Sequence, residues 1–174
     1  MSEYGRLVLL ALAGAILLVI FALPLRARLP RTASPASNGE RLAWLTLLLS
    51  ITALAGTSFY SVITEGRLHG WWLLAHSAAT APFLLALPAV ALLAGVRHTA
   101  GAGVRTWLFW AVVLSCGVLA GSMLVTMLPW AGYDAQLWWI QVHRYAALAL
   151  TVLMPLYIVL WPRAAQPGES GEKA

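Results

Sequence analysis

Five apolar stretches, each close to or above the roughly 20 residues that a helix needs to cross a bilayer, dominate this chain of 174 residues. They run approximately Leu7–Leu25, Leu42–Ile63, Trp71–Gly95, Trp107–Pro129 and Leu137–Trp161. Together they occupy most of the sequence, so no soluble catalytic domain fits between them. Composition agrees: 61% of residues are apolar and 10% charged, against about 25% charged in an ordinary soluble domain. The expected fold is therefore all-α and integral to the membrane, with five transmembrane helices. Any chemistry must lie within the bilayer or at its two faces.

The remaining bounds follow from charge and cysteine. A net charge of +5 would suit nucleic acid only as a solvated basic patch. Here the charges sit in short connections between apolar spans, so they set topology and no nucleic-acid partner is expected. The single cysteine, Cys116, lies within a span. One thiol excludes an internal disulfide, a cysteine-rich zinc site, an iron–sulfur cluster and covalent C-x-x-C-H haem attachment.

The first span exceeds the length of a signal-peptide core. Its basic flank, Arg26, Arg28 and Arg31, follows it. That predicts an uncleaved helix with its N-terminus outside. Eight basic residues then fall inside (Arg26, Arg28, Arg31, Arg41, Arg97, Arg105, Arg163 and Lys173) and three outside (Arg6, Arg67 and Arg144). The loops Thr64–Gly70 and Trp130–Gln136 face outward, into the periplasm of a bacterial inner membrane, and the C-terminus is cytoplasmic. Trp71, Trp72, Trp138 and Trp139 occupy the outer boundary, where aromatic belts belong. Residues 1–41 are expected to form a peripheral helix and cytoplasmic loop, 42–161 a four-helix bundle, and 162–174 a disordered tail.

Within 42–161 the chain repeats itself. Leu49–Thr57 and Leu114–Ser122 both read L-S-x-x-x-L-A-G-[ST], offset by 65. Trp71–His76 and Trp138–His143 both read W-W-x-x-x-H, offset by 67, and Pro88 matches Pro155 at the same offset. Tandem two-helix units of about 42–95 and 107–161 are related by a pseudo-two-fold axis along the membrane normal. That axis points His76 and His143 at each other, each about 7 Å along its helix beyond its tryptophan pair.

Ionisable residues within a span are costly and mark interior sites. Two facing imidazoles can supply both axial ligands of one flat metal centre, so His76 and His143 are the expected metal ligands of one non-covalent haem b. Ala79 and Thr80, and Ala146 and Ala147, follow the histidines on the same helix face and are expected to leave room for a porphyrin. Gly56 and Gly121 are expected to let a ring edge pass. Zinc fits less well, because no third or fourth ligand lies near. The competing reading makes the histidines interhelical hydrogen-bonding residues and the glycines helix-packing residues.

The run Leu68–His76 (LHGWWLLAH) and the run Val142–Leu148 (VHRYAAL) resemble the small membrane cytochrome b subunits. These have four core helices and bis-histidine haem, and include the gamma subunits of formate dehydrogenase and thiosulfate reductase. The resemblance covers about residues 42–161. It implies electron transfer between the quinone pool and a periplasmic oxidoreductase subunit or cytochrome, with quinone or quinol as substrate. No catalytic residue is assigned, since such a chain is an electron-transfer component of a larger complex. Many family members hold two haems; this sequence offers one convincing intramembrane pair.

Other polar residues fit secondary roles. Arg67 and Arg144 are candidates to contact haem propionates. His69 fits the outer interface, and His98 the inner interface beside Arg97. Glu65 and Asp134 fit helix caps, and Met123, Met127 and Met154 fit apolar filling. The alternative to a redox subunit is a haem-free membrane anchor or assembly subunit.

Overall fold

In a computed structural model of the chain, residues 3–28, 37–65, 67–99, 103–129 and 132–160 are described. The expected tail after Pro162 lies outside them, as do Arg31 and most of the first loop. All regular structure among the described residues is helical: α1 Glu3–Arg28, α2 Asn38–Glu65, α3 Gly70–Thr99, α4 Val104–Thr126 and α5 Tyr133–Val159. Each carries a candidate membrane-crossing stretch of 22 to 28 residues. At 1.5 Å per residue these reach about 33–42 Å, enough for a hydrocarbon core near 30 Å. All five helices are long and apolar enough to span a membrane.

Local chemistry sets the ends. Ser37 Oγ accepts the Glu40 amide at 3.2 Å, so the Ser-x-x-Glu pattern starts α2 as an N-cap. Gly70 opens α3 at φ +54°, a left-handed conformation that glycine reaches without a Cβ clash. Inside the helices, hydroxyls return to their own backbone: Ser50 to Thr46 O, Thr52 to Leu48 O and Thr151 to Ala147 O, each at 2.8 Å. A polar side chain thereby satisfies itself without water.

The helices pack as two hairpins, α2 against α3 and α4 against α5, with a lighter contact between α3 and α4. The buried positions repeat with the sequence. Trp44 and Phe109, and Leu47 and Val112, are buried pairs 65 apart. Phe83 and Leu150, and Val90 and Tyr157, are buried pairs 67 apart. One core unites them. Its centre is aromatic: Trp44 stacks on Tyr157 at 5.4 Å between ring centroids, and both approach Phe109 at 6.2 Å. These residues lie at the start of α2 and α4 and the end of α5, so the core closes the end of the bundle opposite the α2–α3 and α4–α5 loops.

α1 stands outside the repeated units and packs along α5. Tyr4 reaches Arg144 at one end, while Ala22 clusters with Val159 and Leu160 at the other. The two helices therefore run parallel. The start of α1 thus shares an end of the bundle with the α2–α3 and α4–α5 loops, the relative sidedness expected for an N-terminus on the same face as both loops.

Candidate functional site

His76 and His143 occupy equivalent positions on the inward faces of α3 and α5. Seven and fourteen residues beyond His76 come buried Phe83 and Val90; the same steps from His143 reach buried Leu150 and Tyr157. A heptad step keeps residues on one helix face, so each histidine heads a stripe of core residues. Both are half-buried. α3 and α5 do not pack directly along their lengths among the described residues.

Each imidazole is held by the helix that precedes its own. His76 Nδ1 lies 3.1 Å from Leu54 O and 3.1 Å from Thr57 Oγ1. His143 Nδ1 lies 3.2 Å from Leu119 O and 3.1 Å from Ser122 Oγ. Leu54 matches Leu119, and Thr57 matches Ser122, at the offset of 65. A carbonyl oxygen only accepts, so Nδ1 carries the proton and donates it in both cases. The hydroxyls have donors of their own to place: Thr57 Oγ1 donates to Ala53 O at 2.7 Å and Ser122 Oγ to Leu119 O at 2.9 Å. Each hydroxyl can then accept from the ring. With Nδ1 protonated, Nε2 carries the lone pair, and neither Nε2 makes a hydrogen bond among the described residues.

In the sequence, the L-A-G-[ST] motif stands out for its repetition alone. The structure gives two of its positions a function. The leucine carbonyl and the hydroxyl at the fourth position orient the histidine of the next helix. The signal is present in the sequence as a hydroxyl in register with a histidine in both units. What the sequence lacks is the helix pairing that brings them together.

Gly56 and Gly121 lie two residues past Leu54 and Leu119, roughly 200° around the helix, away from the histidine bonds. Gly56 is exposed and Gly121 half-buried. A Cβ added at either would meet nothing within 4 Å. Among the described residues neither packs against a neighbouring helix; both face open space. The glycine that does meet a neighbour is Gly95, whose Cβ would stand 3.3 Å from the Trp110 ring.

Ala79 and Ala146 are both half-buried. Ala146 lines a shallow groove between α4 and α5, with Leu114, Val118, Val142, Tyr145 and Ala149. That places it at the α4 side of its helix; Ala147 and Thr80, one step round, follow the histidines more closely. Arg67 and Arg144 are exposed. The Arg67 carbonyl accepts from Ser61 Oγ and fixes the α2–α3 loop. Arg144 turns to α1: its guanidinium carbon sits 5.2 Å from the Tyr4 ring centroid, and Tyr4 Oη donates to the Arg144 carbonyl at 3.4 Å. A propionate would compete with that ring for Arg144. His69 Nδ1 pairs with Glu65 at 2.8 Å on the exposed loop. Met154 is buried in the core and Met127 is exposed. The His98 side chain lies outside the described residues. Among the described residues no three His, Cys, Asp or Glu side chains converge.

No family model, curated protein or solved structure matches this chain. What the site does therefore follows from its own geometry.

Proposed function

We propose that the chain is a b-type cytochrome subunit of a bacterial inner membrane. Its two units are related by a pseudo-two-fold axis along the membrane normal, with the N-terminus periplasmic and the C-terminus cytoplasmic. Electrons pass between the quinone pool and a periplasmic oxidoreductase subunit or cytochrome through one haem b, held by His76 and His143.

The observation that carries this reading is the matched pair of Nδ1 locks. Metal-ligating histidines characteristically donate their other ring N–H to a carbonyl or carboxylate, which fixes the tautomer and raises ligand basicity. Here both rings of a repeat-related pair do so, on equivalent partners, and both leave Nε2 as the only lone pair. Two imidazoles without a third protein ligand suit a metal that brings its own equatorial donors, as a porphyrin does. When bound, the haem supplies a one-electron carrier whose potential responds to axial ligand and surroundings.

The chain's own residues then divide the work. Leu54 and Thr57 orient His76, and Leu119 and Ser122 orient His143. Trp44, Phe109 and Tyr157 close the opposite end and set the spacing of the hairpins. Thr80 and Ala147 continue the two inward faces. Arg67, on the outer loop, is the freer of the two arginines to meet a propionate.

One observation favours the alternative, a haem-free anchor subunit. The same hydrogen bonds staple α3 to α2 and α5 to α4, which a purely structural pair of histidines would also do. The test is a dithionite-reduced minus oxidised visible spectrum of the purified chain. The cytochrome reading expects a b-type α-band that disappears in His76→Ala and in His143→Ala. Well-folded protein from haem-replete cells without that band refutes it.

A further inference from the structure

The two histidines share a lock but not a neighbour. The residue after His143 is Arg144, whereas the offset of 67 puts Ser77 after His76. α3 carries no charged residue before Arg97, and α5 carries no basic residue besides Arg144. Arg144 is exposed and pairs with no carboxylate among the described residues. A guanidinium also keeps its proton at any working pH, so the charge is permanent and not neutralised. A long exposed side chain of this kind ordinarily trails into water. Here α1, which packs along α5, fixes it at two points. The guanidinium carbon lies 5.2 Å from the Tyr4 ring centroid, and Tyr4 Oη donates to the Arg144 carbonyl at 3.4 Å. The helix outside the repeat thus gives one unit a held cation that the other lacks.

Resting on the cytochrome reading above, we infer that Tyr4 is a positioning residue: it holds the Arg144 cation beside His143, and that cation favours the reduced state of the bound haem. The ferric state carries one more positive charge than the ferrous state. A fixed cation nearby disfavours the ferric form and raises the reduction potential. The kind of partner matters. A carboxylate would hold Arg144 equally well but would cancel its charge. An aromatic ring holds a cation through its quadrupole and leaves the net charge in place. Two ligands with matched Nδ1 locks therefore sit in unmatched fields, and the difference comes from α1.

Redox titration of the haem-loaded chain tests this, in detergent at low salt, where exposed charges are least screened. Arg144→Gln should lower the reduction equilibrium constant by about ten-fold, 59 mV for one electron. Arg144→Lys keeps the charge and should stay close to the native value. Tyr4→Leu should give part of the Arg144→Gln shift. The double variant should shift no further than Arg144→Gln alone, since the ring acts only through the cation. The α-band should persist in every variant. An unshifted Arg144→Gln, or an Arg144→Lys that shifts as far as Arg144→Gln, overturns the role of the charge. An unshifted Tyr4→Leu, or shifts that add in the double variant, overturns the role of Tyr4. Loss of haem from Arg144→Gln alone would mean that Arg144 holds a propionate, and overturns the inference too. A native chain without the α-band removes the cytochrome reading and this inference with it. The other adverse results leave that reading standing, so the two failures are told apart.

Discussion

Replacing Thr57 by valine keeps the shape of the side chain and removes the hydroxyl that accepts from His76. The ring keeps one acceptor, Leu54 O at 3.1 Å, so the tautomer survives while the orientation loosens. Two effects of different size follow. As a helix staple, an interhelical hydrogen bond in a membrane is worth about 0.6 kcal/mol on average. As support for a metal ligand, loss of such a partner typically costs about 10–100-fold in affinity, and one remaining acceptor puts the expectation near the low end. Haem affinity should therefore fall about ten-fold, roughly 1.4 kcal/mol, while unfolding in detergent shifts by less than half of that. Ligand basicity drops with the lost bond, so ferric iron is less well stabilised and the reduction potential rises. Ser122→Ala should give the same signs through His143, and Thr57→Ser should restore both readings. The assays are haem titration of stripped protein, denaturation in detergent, and redox titration of the loaded form. Unchanged haem affinity beside a clear loss of stability would refute the reasoning, because the hydroxyls would then only be holding helices together.

Other substitutions separate the parts of the fold. Tyr4→Leu removes the ring under the Arg144 guanidinium; an exposed cation–π contact is worth about 0.5–1 kcal/mol, and detergent stability should fall by that order with the haem spectrum unchanged. Trp44→Ala breaks two ring pairs of about 0.5–1.5 kcal/mol each; a loss of about 1–3 kcal/mol is expected in denaturation, together with weaker haem retention because the hairpins lose their common anchor. Gly56→Ala and Gly121→Ala meet open space, so haem content should stay as in the native chain and stability should rise by up to about 1 kcal/mol from helix propensity; loss of haem in either variant would return those glycines to the site.

Apolar run length alone located the five spans, because a bilayer leaves helices few other solutions. Several helix ends lie two to four residues beyond the hydropathy limits, as at the start of α2, where Ser37 sets a cap that hydropathy does not report, while α4 and α5 end two to three residues short of theirs. The repeat located His76 and His143 and their equivalence. It did not locate Leu54 and Leu119, since a backbone carbonyl leaves no mark on residue type. At Gly56 and Gly121 repetition shows that a position recurs and not which way it faces. Counting 100° per residue from the motif's own leucine turns both glycines away from the histidine bonds. Tyr4 on Arg144 was hidden for another reason: the contact joins residues 140 apart, on a helix outside the repeat.

Under the proposed function, the arrangement separates two requirements that a pair of ligands must meet together. Each histidine needs a fixed ring orientation, and the pair needs a fixed separation. Orientation is local to a unit: the acceptors for His76 come from α2, and those for His143 from α4. Separation is not local. α3 and α5 barely meet, so the distance between the rings is set by the contacts between the hairpins: α3 with α4, and the far end where Trp44, Phe109 and Tyr157 join α2, α4 and α5. Changes at that aromatic cluster should therefore disturb both ligands at once, whereas changes at Thr57 or Ser122 disturb one. An assembly duplicated from a two-helix unit obtains the first property by inheritance, since each copy carries its own lock. The second depends on contacts between the two units.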